Sequence, residues 1–436
     1  MRLLERAATV APKKLDFKLI GDEVSGALPK GDVPVRFAVT KSGSTGWDCE
    51  LGVICGDLPH SSAPLFDFRK REFEAQEGFN VVMVVPTGVG AEIGGHAGDA
   101  TPAAIALAQV ADTLITHPNV VNASDINELP VNGLYVEGSV LARMLMGTVG
   151  LRPARANRVL VAMDASHAER YAAYTVNAIN AARATYGLNC AGIERIEPAL
   201  SLVGGYTQTG RASGSVEGFE GLIDLLISRK GAYDAVAVAS VVEVPQHYHF
   251  DYFTSGGEMV NPWGGVEALL THAVSSIIDV PTAHAPMMES DDIAAVDPGI
   301  VDSRMAAEVI SITFFQSVLK GLQRSPRIVT DESHFGRSDV LTAEDVSCLV
   351  IPEGCLGLPT LAALHQGIPV IEVRENRNLM RNDLAALPWQ PGQFYSADNY
   401  WEAAGIISAL KAGIDPDSMR RPMETMRVRS NDHQSR

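Results

Sequence analysis

The chain has no uninterrupted apolar stretch long enough for a membrane-crossing helix, which needs about 20 such residues. No apolar core follows the opening Met1-Arg-Leu-Leu-Glu-Arg, so no secretory leader is expected. Basic residues are in deficit, with 35 Lys and Arg against 52 Asp and Glu, for a net charge of −17. That balance excludes a nucleic-acid partner and docking on an anionic membrane, both of which need a basic surface. Cysteines number only 5, scattered and without a Cys-x-x-Cys pair. A disulfide framework is thereby excluded, and a reducing cytoplasm is the expected location. The composition leaves a small-molecule ligand and a homo-oligomer as the expected partners.

What is present is enough apolar material, 46% of 436 residues, for more than one domain. Residues 1–60 read as a small β-rich subdomain, with alternating runs at Pro34–Val39 and Glu50–Ile54 and an exit linker at 59–64. Residues 61–155 read as a βαβ unit with a glycine loop, 156–420 as a larger α/β domain, and 421–436 as a disordered tail. Strands are expected at 79–85, 113–116, 158–163, 235–242, 327–329, 347–351 and 369–373. Helices are expected at 101–111, 167–186, 216–229, 264–277, 303–323 and 359–366. Strands alternating with helices imply an α/β fold of mostly parallel sheet covered on both faces.

Several loops carry reactive side chains. Val244-Pro-Gln-His-Tyr-His-Phe-Asp251 follows an apolar strand. In an extended backbone His247, His249 and Asp251 would share one face, with Tyr248 and Phe250 toward the core. Such ligands suit zinc, iron, manganese or nickel, and His284 would complete the set. The bland alternative is a pair of hydrogen-bonded loop histidines. The loop 86–102 is dense in glycine and opens a helix, which favours backbone N–H groups approaching a ligand. Gly94, Gly95 and Asp99 would cradle that ligand and His96 would serve as base, the alternative being a wide turn capped by Asp99. The spacing is neither Gly-x-Gly-x-x-Gly nor a P-loop, so no nucleotide cofactor is expected.

His117, Asn119 and Asn122 leave the next strand at the same edge, where an amide can hold a carbonyl or carboxylate. Arg211 is the only cation of the 204–214 loop, a carboxylate clamp or simply part of a mobile surface loop. Asn261-Pro-Trp-Gly-Gly-Val-Glu267 delivers a helix with Glu267 in its first turn, either as a proton carrier or as a dipole-compensating carboxylate. Asp302 is expected to cap a helix near Arg304. Cys355 stands before a helix, where a thiol can be activated, or where a small buried residue fits a tight turn.

Gly94-Gly-His-Ala-Gly-Asp-Ala-Thr-Pro102, Asn261-Pro-Trp-Gly-Gly-Val-Glu-Ala268, Ala283-His-Ala-Pro-Met287 and Gly354-Cys-Leu-Gly357 together resemble a domain-of-unknown-function family of cyanobacteria, plants and other bacteria. The likeness spans roughly residues 78–378 and brings no activity with it. The Cys355 segment alone resembles the second cysteine region of aspartate/glutamate racemases, which implies two facing cysteines. The first half offers no matching strand-end cysteine, since Cys49 and Cys55 lie in the β-rich stretch. The same segment is locally similar to nucleotide-sugar epimerases.

The expectation drawn from the residues is metal-assisted hydrolysis of a small polar substrate, such as a cyclic amide. The alternatives are a metal-free isomerase or lyase with Cys355 or His96 as base, and a non-catalytic binding protein.

Overall fold

Alternation of side chains decides which runs become buried strands. In the computed structural model, which describes residues 1–43, 45–56, 60–165, 169–423 and 425–426, Val346–Pro352 and Asn80–Met83 are buried throughout. Val81, Met83, Cys348 and Val350 pack into one core, while Val82, Leu349 and Ile351 face another. Apolar residues facing both ways suit a strand covered on both sides. These strands sit in a wholly parallel six-stranded sheet ordered Phe394–Ala397, Val370–Val373, Val346–Pro352, Asn80–Met83, Thr113–Thr116, Gly133–Tyr135.

The larger sheet has 10 strands and is mixed. Asn189–Ile196, Arg158–Asp164, Ala235–Glu243 and Thr282–Met287 run parallel, and Ser201–Tyr206 joins the end of Ala235–Glu243. Ala212–Glu217, Arg2–Val10, Gly46–Cys55, Val33–Gly43 and Leu356–Gly357 continue it antiparallel. The α/β expectation therefore holds, but a mostly parallel sheet describes only the smaller of the two. The reason lies in the 1–60 stretch. Its strands form as expected, yet Arg2–Val10 pairs with Ala212–Glu217, so they extend the large sheet.

Other differences are local. The 204–214 loop is the turn of the hairpin Ser201–Tyr206 and Ala212–Glu217. The helix expected over 216–229 begins only at Phe219. The 303–323 helix is broken into Ala306–Val309 and Gln316–Arg324, with Phe314 between them at positive φ. Arg327–Val329 pairs only with Gly150–Arg152. Thr101 is the first helical residue, not the cap. The expected tail beyond 426 and the first residues of the 167–186 helix lie outside the described residues.

The Gly264–Ile278 helix positions the site. Val266, Leu269, Leu270, Ala273 and Val274 recur at helical spacing and pack on the large sheet. The opposite stripe, including Glu267, Ala268, Thr271 and His272, lines a cavity. Across that cavity lie the loops leaving the carboxyl ends of the parallel strands, where open α/β sheets gather their ligands.

Candidate active site

The cavity has a volume of about 680 Å³, within the range of small-molecule sites. His96, His117, Asn261, Glu267, His284 and Cys355, far apart in sequence, all line it.

The glycine loop sets His96 by close packing. A Cβ on Gly95 would come within 2.0 Å of the Ala91 carbonyl oxygen, and Gly94 has φ +90° against Val85. Gly94 N donates to Asp99 Oδ1 at 2.8 Å. Burial raises the Asp99 carboxyl to about 7 against the pull of those loop N–H groups. Asp99 is thus the loop's clasp. Asn119 also ties the loop, its amide donating to Val85 O at 3.0 Å and Gly94 O at 2.8 Å. Those donors are engaged, so the Asn119 amide is not free to hold a ligand carbonyl or carboxylate as expected from the sequence. His117 Nε2 accepts from Val85 N at 3.1 Å, and burial lowers its pKa to about 4, leaving a neutral ring.

His96 Nδ1 lies 2.8 Å from the Tyr252 hydroxyl. Tyr252 in turn bonds Glu308 Oε1 at 3.0 Å. Ala97 N donates to the same oxygen at 2.9 Å, and Asn261 Nδ2 donates to Glu308 Oε2 at 3.3 Å. Burial, with the charges of Asp99 and Glu267 nearby, raises Glu308 to about 7. Burial also lowers His96 below its ordinary value. The Asn261 carbonyl accepts from Trp263 N at 3.0 Å and Gly264 N at 3.2 Å, which starts the Gly264–Ile278 helix.

Glu267 supplies a second arm. Its Oε2 lies 3.0 Å from His284 Nδ1, and His284 Nε2 lies 2.8 Å from Ser240 Oγ. Strand alternation explains the alignment. Ala235, Ala237 and Ala239 face one core, so Ser240 points to the other side with Val236 and Val238. His284 pairs with Val238 on the neighbouring strand and faces the same helix. Serine, imidazole and carboxylate here follow the order of a hydrolytic triad. Ser240 is fully buried behind the cavity wall, however, so it orients His284 instead of attacking a ligand.

The metal set is corrected. Tyr248–Thr254 is a helix beginning after His247, so the period-two alignment does not exist. Successive residues rotate about 100° in a helix, which turns His249 away from His247 and Asp251. His247 and Asp251 are exposed, whereas His249 packs its ring 5.4 Å from Trp263. Phe250 is exposed and Tyr252 is the core residue of this segment. His284 is held by Ser240 and Glu267 as described. Among the described residues no three His, Cys, Asp or Glu side chains are grouped to hold a metal ion.

Three further readings change. Arg211 is completely buried, ion-paired to Glu5 and Glu50, so it is a wall element and not a mobile clamp. Cys355 is buried, and that burial pushes its thiol up, the reverse of activation by a helix terminus. Asp302 pairs with Arg304 where a long helix was expected.

Tyr252, Glu308, Ser240, Glu137 and His272 were not found from sequence. Tyr252 stands inside the singled-out histidine segment, and Glu137-Gly-Ser-Val140 has the look of a helix start. The others carry no local signal.

A family model described as a protein of unknown function (DUF3326) matches residues 80–420. This chain belongs to that family. An uncharacterized lipoprotein from Synechococcus sp. is 33% identical over 348 residues, covering 78% of this chain and 92% of the relative. Because this relative is named a lipoprotein, the cytoplasmic location expected from the sequence is not retained. Among the described residues no helix is long and apolar enough to cross a membrane. No solved structure matches the chain.

Proposed function

We propose that this protein is a metal-free acid–base enzyme that moves a proton on a small, largely apolar carbonyl compound. The observation that carries this reading is the chain Glu308–Tyr252–His96 bordering the cavity, with Glu308 raised to about 7. A carboxyl in that range exchanges its proton near neutral pH, the condition for efficient general acid–base work. Glu267, on the facing helix, stands with a different set of partners. Two carboxyls in differing environments suit the division into acid and base.

In this reading Glu267 takes the proton from the carbon next to the carbonyl, and the electron pair moves to form the enol C=C. Glu308 delivers a proton to the carbonyl oxygen. Glu267 then returns a proton to carbon while the enol O–H proton passes back to Glu308, which completes an isomerisation or exchange and leaves both carboxyls as they began. The relay exchanges the Glu308 proton with the cavity. With Glu308 ionised, Tyr252 donates to it and His96 Nδ1–H donates to Tyr252, while the Gly257 backbone also faces the ring. With Glu308 protonated the chain reverses, and Nε2 carries the hydrogen. Metal-assisted hydrolysis would require a ligand cluster that the described residues do not contain.

The test is deuterium exchange from D₂O into the carbon next to the carbonyl, followed by NMR on a panel of small ketones and aldehydes. Exchange should occur for some members and drop by about 10²–10⁴-fold in Glu308→Gln and His96→Asn. Exchange unaffected by both substitutions, or independent of enzyme concentration, would sink the reading, as would a stoichiometric metal required for it.

A further inference from the structure

A second acid–imidazole pair lines the same cavity away from the Glu308 relay. Glu137 caps the Gly138–Leu145 helix, accepting from Ser139 N at 3.0 Å and Val140 N at 3.2 Å. The Ser139 hydroxyl donates to the same oxygen, and the Thr271 hydroxyl donates to Oε1 at 3.3 Å. Burial opposes ionisation of Glu137, but His272 and the Ser139 donors outweigh it and bring the carboxyl to about 2. His272 Nδ1 lies 2.9 Å from Oε1.

A helix cap needs only the backbone contacts. The additional hydroxyls and the imidazole fix the carboxylate and, through it, the ring. The His272 side chain keeps 17% of its surface exposed. His272 borders the cavity, and Gly138 sits beside the ring's Cε1–Nε2 edge. A Cβ on Gly138 would come to 3.3 Å from His272 Cε1 and 3.7 Å from Nε2. Glycine at this position therefore keeps the imidazole edge open.

Glu267 and His272 share the Gly264–Ile278 helix. Their positions differ by about 7.5 Å along the axis, at roughly 1.5 Å per residue. Ala268, Leu141 and Ala142 line the same cavity and give it an apolar wall.

We propose that His272, held by Glu137, is a second ligand anchor, and that the ligand is a hydroxy-carbonyl compound with a short apolar spacer. This rests on the acid–base reading for the carbonyl end. The hydroxyl end follows from the chemistry of an imidazole edge, since a hydroxyl both donates and accepts and fits either state of Nε2.

The experiment uses the full chain and two probe series, 2-alkanones and their terminal hydroxy derivatives, with affinity measured by ligand-observed NMR. At one chain length the hydroxyl should strengthen binding about tenfold or more over the parent ketone. His272→Ala should bring that ratio close to one. Gly138→Ala, a substitution its helical backbone accepts, should also reduce it. A ratio near one at every length in the wild type overturns the proposal. So does a length preference retained in both variants, or no binding of either series. Affinity is read separately from deuterium exchange. A length preference without exchange would uphold the anchor and defeat the acid–base reading, and exchange without a length preference would do the reverse.

Discussion

Glu308 is the residue on which most depends. Its carboxyl is raised from an ordinary value of 4.5 to about 7 by burial. The folded protein therefore binds more protons here than the unfolded chain between these values. This group's contribution to stability is fully present below pH 4.5 and is lost as the pH rises through 7. Asp99, raised to about 7, acts in the same direction. Glu308→Gln removes one of the two, so thermal melting should show the variant gaining on the wild type between pH 5 and pH 8. A constant difference across that range would contradict the assignment. Exchange activity should decline above about pH 7 as Glu308 loses its proton. Cys355 gives the opposite kind of prediction. Burial raises its thiol, so iodoacetamide should label it more slowly than an ordinary cysteine at pH 8. Cys355→Ser should leave exchange within a few-fold of wild type. Rapid labelling together with lost exchange would restore the cysteine mechanism.

Elements account for what the sequence revealed and what it hid. Thr113–Thr116, Ala235–Glu243 and Gly264–Ile278 were legible because each is long or apolar enough for one pattern to dominate. The segment 244–251 was not. Its alternating His and aromatic residues fit a strand, but Pro245 ends the preceding strand and a one-turn offset buries Tyr252 in helical form. That change of period separates the histidines and creates the tyrosine relay. His247→Ala/Asp251→Ala should consequently shift stability by no more than about 0.5 kcal/mol, as expected for exposed positions. Metal content should be the same in the double variant and the wild type; a loss of bound metal would reinstate the ligand set. The glycine loop was legible as a closely packed loop, since its glycines permit close backbone contacts. Gly95→Ala forces a Cβ onto the Ala91 carbonyl oxygen. It should cost about 1–3 kcal/mol in denaturant unfolding, the usual price of overpacking. A neutral result would mean the loop relaxes freely.

At the scale of the whole molecule, the site exists because two sheets close on one helix. Hydrophobic periodicity revealed the strands but not which of them pair, because pairing across the chain leaves no local mark. The stretch 1–60 illustrates this: Arg2–Val10 lies between Ala212–Glu217 and Gly46–Cys55 in the interior of the large sheet. Electrostatics strengthens the same connection. Glu5 and Glu50, both from this stretch, pair with the wholly buried Arg211, which lines the cavity. A chain lacking residues 1–56 would expose the edge of Ala212–Glu217 and leave Arg211 without either carboxylate. An unpaired buried charge alone destabilises by about 3–5 kcal/mol, a large part of a typical folding free energy. The truncated chain should therefore fail to unfold cooperatively, with weak near-ultraviolet circular dichroism and binding of a hydrophobic dye. The full-length Glu5→Gln/Glu50→Gln variant separates the two causes. It keeps the strands and removes only the charges, so it should fold with a lowered melting temperature. Cooperative unfolding of the truncated chain near the wild-type temperature would show that the N-terminal strands are an independent subdomain after all.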